Sequence, residues 1–287
     1  MVNIDQLITE FLGNLEKRKR TLRTVRNYDF YLRRFSVWLK EKNISSPEDI
    51  NKDLIKKYKT YLKRIKNPIK KINLKETTQN YHLIALREFL KFLYKKNVLT
   101  IGSKQVHLHK VKSVKVSSLK KDEIGKFLEA PQQIRQDALI SHRDRAVLEI
   151  MFCTGAKVSE VADLVIKDVD FKKQQVIVAK GRKNERVIDL SNQSVYWVSK
   201  YLKSRGGTLP YLFVGHDRAK SKRKQKPISA RSLERIVLKY GKVAGLEKKV
   251  TPQILRSTYA TNLVKKGLGF QSIKNKLGTT SDGFLNL

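Results

Sequence analysis

Arg256 and Gln253 lie three residues apart in the run Thr251-Pro-Gln-Ile-Leu-Arg-Ser-Thr-Tyr-Ala-Thr-Asn-Leu-Val-Lys-Lys-Gly267. Thr251 is of the N-cap type, Pro252 suits the first helical position and Gly267 suits a stop, so the run is expected to form one helix. On that helix Gln253 and Arg256 share a face, while Ile254, Leu255, Tyr259, Leu263 and Val264 form an apolar stripe. A planar guanidinium beside a carboxamide is suited to holding an oxyanion such as phosphate. A second cationic group, Lys180-Gly-Arg-Lys-Asn-Glu185, joins two alternating apolar segments, 175–179 and 186–190, as the turn of a strand pair would.

Composition narrows what such groups serve. The 287 residues carry 62 Lys and Arg against 26 Asp and Glu, a net charge of +36 with a pI near 10.2. So many like charges repel in a folded body, and an anionic partner, nucleic acid, is expected. Cys153 is the only cysteine, which excludes a disulfide framework and a cysteine zinc site. The five histidines show no metal-ligand spacing, and no metal or other cofactor is expected. No apolar run is long enough for a membrane span, and the first residues lack a targeting pattern. A soluble intracellular location with access to DNA, cytoplasmic and nucleoid-associated, is the expectation.

The elements that must position these groups fall into two parts. Residues 1–102 are expected to be a bundle of four or five helices. Leu7, Ile8, Phe11, Leu12 and Leu15 mark the first, and Val25, Tyr28, Leu32, Phe35 and Leu39 a longer second one. Ser46-Pro-Glu-Asp49 reads as a helix start leading to Ile55, Tyr58, Tyr61 and Leu62, and Thr77 or Thr78 as another before Tyr81, Ala85 and Phe89. Basic clusters at Lys17, Arg18, Lys19, Arg20 and Arg23, at Lys56, Lys57 and Lys63, and at Lys70 and Lys71 offer phosphate contacts along a duplex. The interleaved aromatics fit core positions and not base-stacking platforms.

Residues 103–118, including Lys112, read as an extended basic linker in which His107 and His109 are solvated. From 119 to 287 the pattern is mixed. Helices are expected at 141–152, after Gly155 and from Ser229, with strands at 175–179, 186–190 and 209–214 and a basic loop holding Lys222, Arg223 and Lys224. The fold class is therefore mainly α with a small β-sheet, an α+β arrangement of a helical bundle and a mixed second domain.

Three stretches in this order resemble one known family: Arg143-Asp-Arg-Ala with Thr154-Gly-Ala-Lys-Val-Ser-Glu160, the turn 179–186, and Thr251 to Gly278. The chain resembles the tyrosine recombinases, the Xer and phage-integrase family. The resemblance implies an N-terminal helical DNA-binding domain of the SAM-like type and a catalytic domain that breaks and rejoins DNA without metal. In that chemistry two arginines clamp the scissile phosphate, a lysine acts as acid, histidines assist, and a tyrosine attacks. By position, Lys157 stands at the first arginine, Glu160 at the acidic helper, Lys180 at the general acid and Arg256 at the second arginine. Gln253, Ser257 and Thr279 stand at the histidines. The family's tyrosine position falls just past Leu287, so a C-terminally truncated domain without its nucleophile is expected. Lys157 keeps a charge and loses the bidentate fork. Tyr259 matches a buried aromatic position.

The resulting expectation is a duplex-DNA-binding homologue, a pseudoenzyme with an architectural or regulatory role, unable to cleave DNA alone. Lys157, Lys180, Arg182, Arg231 and Arg256 join its DNA contacts. Two alternatives stand beside it. One is a recombinase active in DNA integration whose site an intact partner completes, and the other is a basic subunit of a larger nucleoprotein complex. A monomer or dimer is expected in place of the family's tetramer.

Overall fold

Helix caps and apolar spacing set the first unit. Asn3, Thr21 and Asn51 accept backbone N–H groups at the starts of α1 (Ile4–Lys17), α2 (Leu22–Lys40) and α3 (Lys52–Arg64). With α4 (Glu76–Lys95) they complete a four-helix bundle. The computed structural model describes residues 3–66, 71–111, 117–216 and 226–280, and divides into two compact units, Met1–Lys112 and Ser113–Leu287. The first core is aromatic. Phe11 meets Phe89 edge-on at 5.7 Å between ring centroids, and Phe35 meets Tyr58 at 4.7 Å, with Leu32, Leu39, Leu62 and Leu86 sealed among them. Each such side chain, fully buried, contributes roughly 1.5–3 kcal/mol.

Three boundaries differ from expectation. Pro47–Asp49 is a single 3-10 turn, because Asn51 and not Ser46 caps α3. The fourth helix starts at Glu76, just ahead of the two threonines. The supposed linker folds onto the first unit: Ser103–Gln105 makes a 3-10 turn and Val106 is fully buried. Asn80 clasps His109 through both its backbone groups, donating to the carbonyl at 3.0 Å and accepting the N–H at 2.7 Å. His107 is exposed, its carbonyl held by Lys59, but His109 is half-buried and burial lowers its pKa. Apolar Val106 supplies the driving force that the polar neighbours hid.

In the second unit α5 (Lys121–Gln133) and α6 (Ala138–Thr154) are followed by α7 (Val158–Ala162). A three-stranded antiparallel sheet comes next, β1 (Val169–Asp170), β2 (Gln175–Val178) and β3 (Arg186–Asp189), in that spatial order. Val176 pairs with Ile188 and Val178 with Arg186, so the 179–185 turn projects from the β2–β3 end. Then come α8 (Asn192–Arg205), α9 (Ala230–Val243), α10 (Pro252–Lys265) and α11 (Phe270–Leu277). Central α6 packs against α5, α8 and α10. Segment 209–214 makes only isolated bridges, Val165 to Tyr211 and Val214 to Pro227, and the third strand is the two-residue β1. Val264, expected in the apolar stripe of α10, is 41% exposed.

Gly155 ends α6 in the left-handed region at φ +56°, where a side chain would also run into the Tyr259 ring. That close approach sets α10 directly on the end of α6 and so places Arg256.

Candidate functional site

The site is built on Glu160, a carboxylate 3% exposed near the end of the first turn of α7. It accepts the Lys157 backbone N–H at 2.9 Å, Asn184 Nδ2 at 2.7 Å and Arg186 Nη2 at 2.8 Å. Burial alone raises its pKa, but the Arg186 hydrogen bond and the Lys157 N–H outweigh it and hold the carboxyl below its usual range. Arg186 is itself buried, and its Nε donates to the Lys276 carbonyl at 2.7 Å. One side chain therefore ties the start of β3 to α7 and to the last turn of α11.

Arg256 leaves α10 beside this pair. Its Nη1 donates to the Gly155 carbonyl and its Nη2 to the Leu277 carbonyl, each at 2.7 Å. Burial lowers its pKa and Glu160 pulls it back up, but a guanidinium remains charged at any working pH. Two of its five donors are thus used to hold loop and helix ends, and three remain for an anion. Among the described residues no hydroxyl bonds to it. Tyr259 is half-buried and burial pushes its phenol up to about 12, the behaviour of a packing residue.

Lys157, Gln253, Arg256 and Arg231 line one cavity of about 590 Å³. Lys157 is half exposed, with Nζ 3.9 Å from Glu160, too long for a hydrogen bond. Gln253 is exposed, while Ser257 is buried and donates to the Gln253 carbonyl at 2.8 Å. Lys180 stands apart, on the turn where Ala179 and Gly181 have positive φ, with Nζ 3.5 Å from the buried Asp168 carboxylate. Arg182 on the same turn pairs with Asp163 at 2.6 Å. Thr279 follows the left-handed Gly278, its N–H bonded to the Lys274 carbonyl.

So the structure gathers Lys157, Glu160, Gln253 and Arg256, and carries Lys180 on the adjoining turn. Sequence reasoning did not pick out Arg186 and Asn184. A signal existed for Arg186: it shares the inward face of β3 with Ile188, and a charge on a core face calls for a buried counter-charge.

In the first unit Lys17, Arg18, Lys19, Arg20, Arg23, Lys57, Lys63 and Lys71 are all exposed, and none pairs with a carboxylate among the described residues. Lys56 pairs only with the exposed Asp53. Lys70, Lys112, Lys222, Arg223 and Lys224 lie outside the described residues. Among the described residues no group of His, Cys, Asp and Glu could hold a metal ion, and no helix is long and apolar enough to cross a membrane.

Comparison with known proteins extends this picture over both units. The Phage integrase family matches residues 117–286, and the Phage integrase N-terminal SAM-like domain matches residues 8–97. Tyrosine recombinase XerC of Thermodesulfovibrio yellowstonii is 30% identical over 286 residues, covering 98% of this chain and 90% of that protein. Tyrosine recombinase XerA of Pyrococcus horikoshii is 29% identical over 279 residues, covering 97% and 86%. In fold the chain is similar to XerH site-specific recombinase bound to its palindromic difH substrate, with a TM-score of 0.71 at 20% identity, over 94% of this chain and 78% of that one. It is likewise similar to a lambda integrase dimer bound to a COC′ core site, with a TM-score of 0.70 at 18% identity, over 98% and 75%. With the SAM-like domain ahead of it and the buried Glu160–Arg186 pair at its centre, this chain belongs to the phage integrase family of tyrosine recombinases.

Proposed function

We propose that this protein grips duplex DNA through both units and that residues 1–287 do not cleave it unaided, leaving an architectural or regulatory role. The relatives are named recombinases, and the solved neighbours hold DNA, which supports the same ligand here. The exposed, unpaired cations of the first unit supply phosphate contacts that carry no sequence information.

The observation that carries the second half is the divided state of the site. Its frame is whole: Glu160 and Arg186 are paired and Arg256 is fixed by two carbonyls. Its reactive positions are altered. Lys157 offers a point charge where two parallel hydrogen bonds to a phosphate are wanted, and Gln253 and Thr279 cannot carry a proton at neutral pH. Transition-state charge on the phosphate would then be held by Arg256 almost alone.

Anisotropy titration of a labelled duplex tests the grip, with affinity expected to fall by orders of magnitude as salt rises through the physiological range. A flat salt profile overturns it in favour of a role as a protein-binding subunit. A second reading, completion by an intact partner, is favoured by the retention of Lys180 and Arg256. Mixing with an intact family member and recovering cleavage dependent on those two residues would establish it.

A further inference from the structure

The cavity beside Arg256 has two chemically different walls. Ala156, Val158, Leu238 and Val250 make an apolar floor. Around it stand five cations, Lys157, Arg231, Arg235, Lys249 and Arg256, against one carboxylate, Glu234. Arg231 and Arg235 are one turn apart on α9 and share a face. Neither of them, nor Lys249, forms an ion pair or side-chain hydrogen bond among the described residues. Cations gathered without counter-charges repel one another, and an entering anion relieves that repulsion.

Size and lining argue for more than a bare phosphate. At about 590 Å³ the cavity lies within the range of roughly 300–1,000 Å³ that small-molecule sites occupy, and such sites pair apolar walls with a few polar anchors. A lone phosphate would leave the Val158, Leu238 and Val250 surface facing water. A phosphorylated ligand with a flat apolar body covers that surface and satisfies the rim at once.

We infer that this cavity is a nucleotide site, with the base lying on the floor and the phosphates held by the rim. The nucleotide comes either free from solution or from a strand of DNA. Lys157, Gln253 and Arg256 also belong to the phosphate site proposed above, and the inference rests on that reading only where the nucleotide is part of DNA.

Calorimetric titration of the full chain in metal-free, low-salt buffer tests it with three probes: ADP, pyrophosphate and adenosine. ADP is expected to bind at least tenfold more tightly than pyrophosphate, and adenosine more weakly than both. Replacing Arg231 and Arg235 together by alanine should weaken ADP at least tenfold with thermal unfolding unchanged. Should that variant fail to fold, Glu234→Gln should strengthen ADP binding, because it removes the one repelling charge. Equal affinity for ADP and pyrophosphate, or no binding of ADP, overturns the inference.

Competition assigns the source. ADP that displaces a duplex with one unpaired nucleotide more readily than a fully paired duplex points to a DNA nucleotide. ADP that displaces both equally, or neither, points to a free one. Loss of duplex binding with ADP binding intact sinks the DNA reading alone, and the reverse result sinks this inference alone.

Discussion

The two units use charge in opposite ways. In the first, the cations lie on the surface without partners and the core is aromatic, with Phe11, Phe35, Tyr58 and Phe89 in mutual contact. In the second, charges are taken into the interior and paired there: Arg186 with Glu160, Arg143 with Asp144, and Arg145 with Glu149. An exposed cation is free to meet phosphate and adds little to stability. A buried one is committed to the fold, and it holds its neighbours at fixed distances. The contrast assigns attraction to the first unit and positioning to the second.

The largest effect expected from that contrast is on Arg186. Arg186→Ala leaves Glu160 buried without its counter-charge and should cost about 3–5 kcal/mol, read as a drop in the denaturant midpoint. Lys56→Ala breaks an exposed pair and should cost about 1 kcal/mol or less. Equal costs would erase the distinction.

Next in size is a pH effect in the first unit. His82 is buried between Phe30 and Tyr31 with Arg34 beside it, and burial followed by the Arg34 charge brings its pKa from 6.5 to about 4. The unfolded chain binds the proton more readily, so stability is complete above about 6.5 and is lost as pH falls toward 4. The loss should approach roughly 3 kcal/mol. Trp38 and Trp197 lie in different units, so a Trp197→Phe chain reports on the first unit alone by fluorescence. Adding His82→Gln should flatten the profile between those pH values.

Glu160 acts in the same direction over a lower range. Its pKa is depressed in the folded state, so its contribution is present above the ordinary 4.5 and is lost as pH falls through the lower folded value. Glu160→Gln should remove that part of the acid sensitivity of the second unit.

A smaller effect attaches to Gly155. Gly155→Ala meets both the positive φ and the Tyr259 ring and should cost about 1–3 kcal/mol. Because the Gly155 carbonyl holds Arg256, the same variant should also weaken phosphate binding. The smallest effect on stability, within about 0.5 kcal/mol, belongs to replacing Lys17, Arg18, Lys19 and Arg20 by alanine. That change should nevertheless lower the salt slope of duplex binding by about 0.9 for each phosphate that is no longer neutralised.

What the sequence made legible follows the same division. Periodic apolar spacing and side-chain caps are local signals, so α1, α2, α9 and α10, with Thr21, Ser229 and Thr251 at three of their starts, could be found from the residues. The β2 and β3 strands were equally plain. Long-range docking was not legible. Val106 and His109 fold back onto the first unit through Asn80, which is 29 positions from His109, and α8 is hidden by a start rich in turn-forming residues, Ser191 to Ser194. In the site, Glu160 and Arg256 could be placed by motif. Arg186 could not, because its role depends on Glu160 and the Lys276 carbonyl, which meet it only in the folded chain.

The central claim is that DNA is held but not cut by this chain alone. Incubation with a nicked duplex, which traps a cleaved intermediate, followed by denaturing gel electrophoresis, tests it most directly. The account predicts a complex that forms at low salt and disappears entirely in SDS. A covalent protein–DNA band surviving SDS would contradict it.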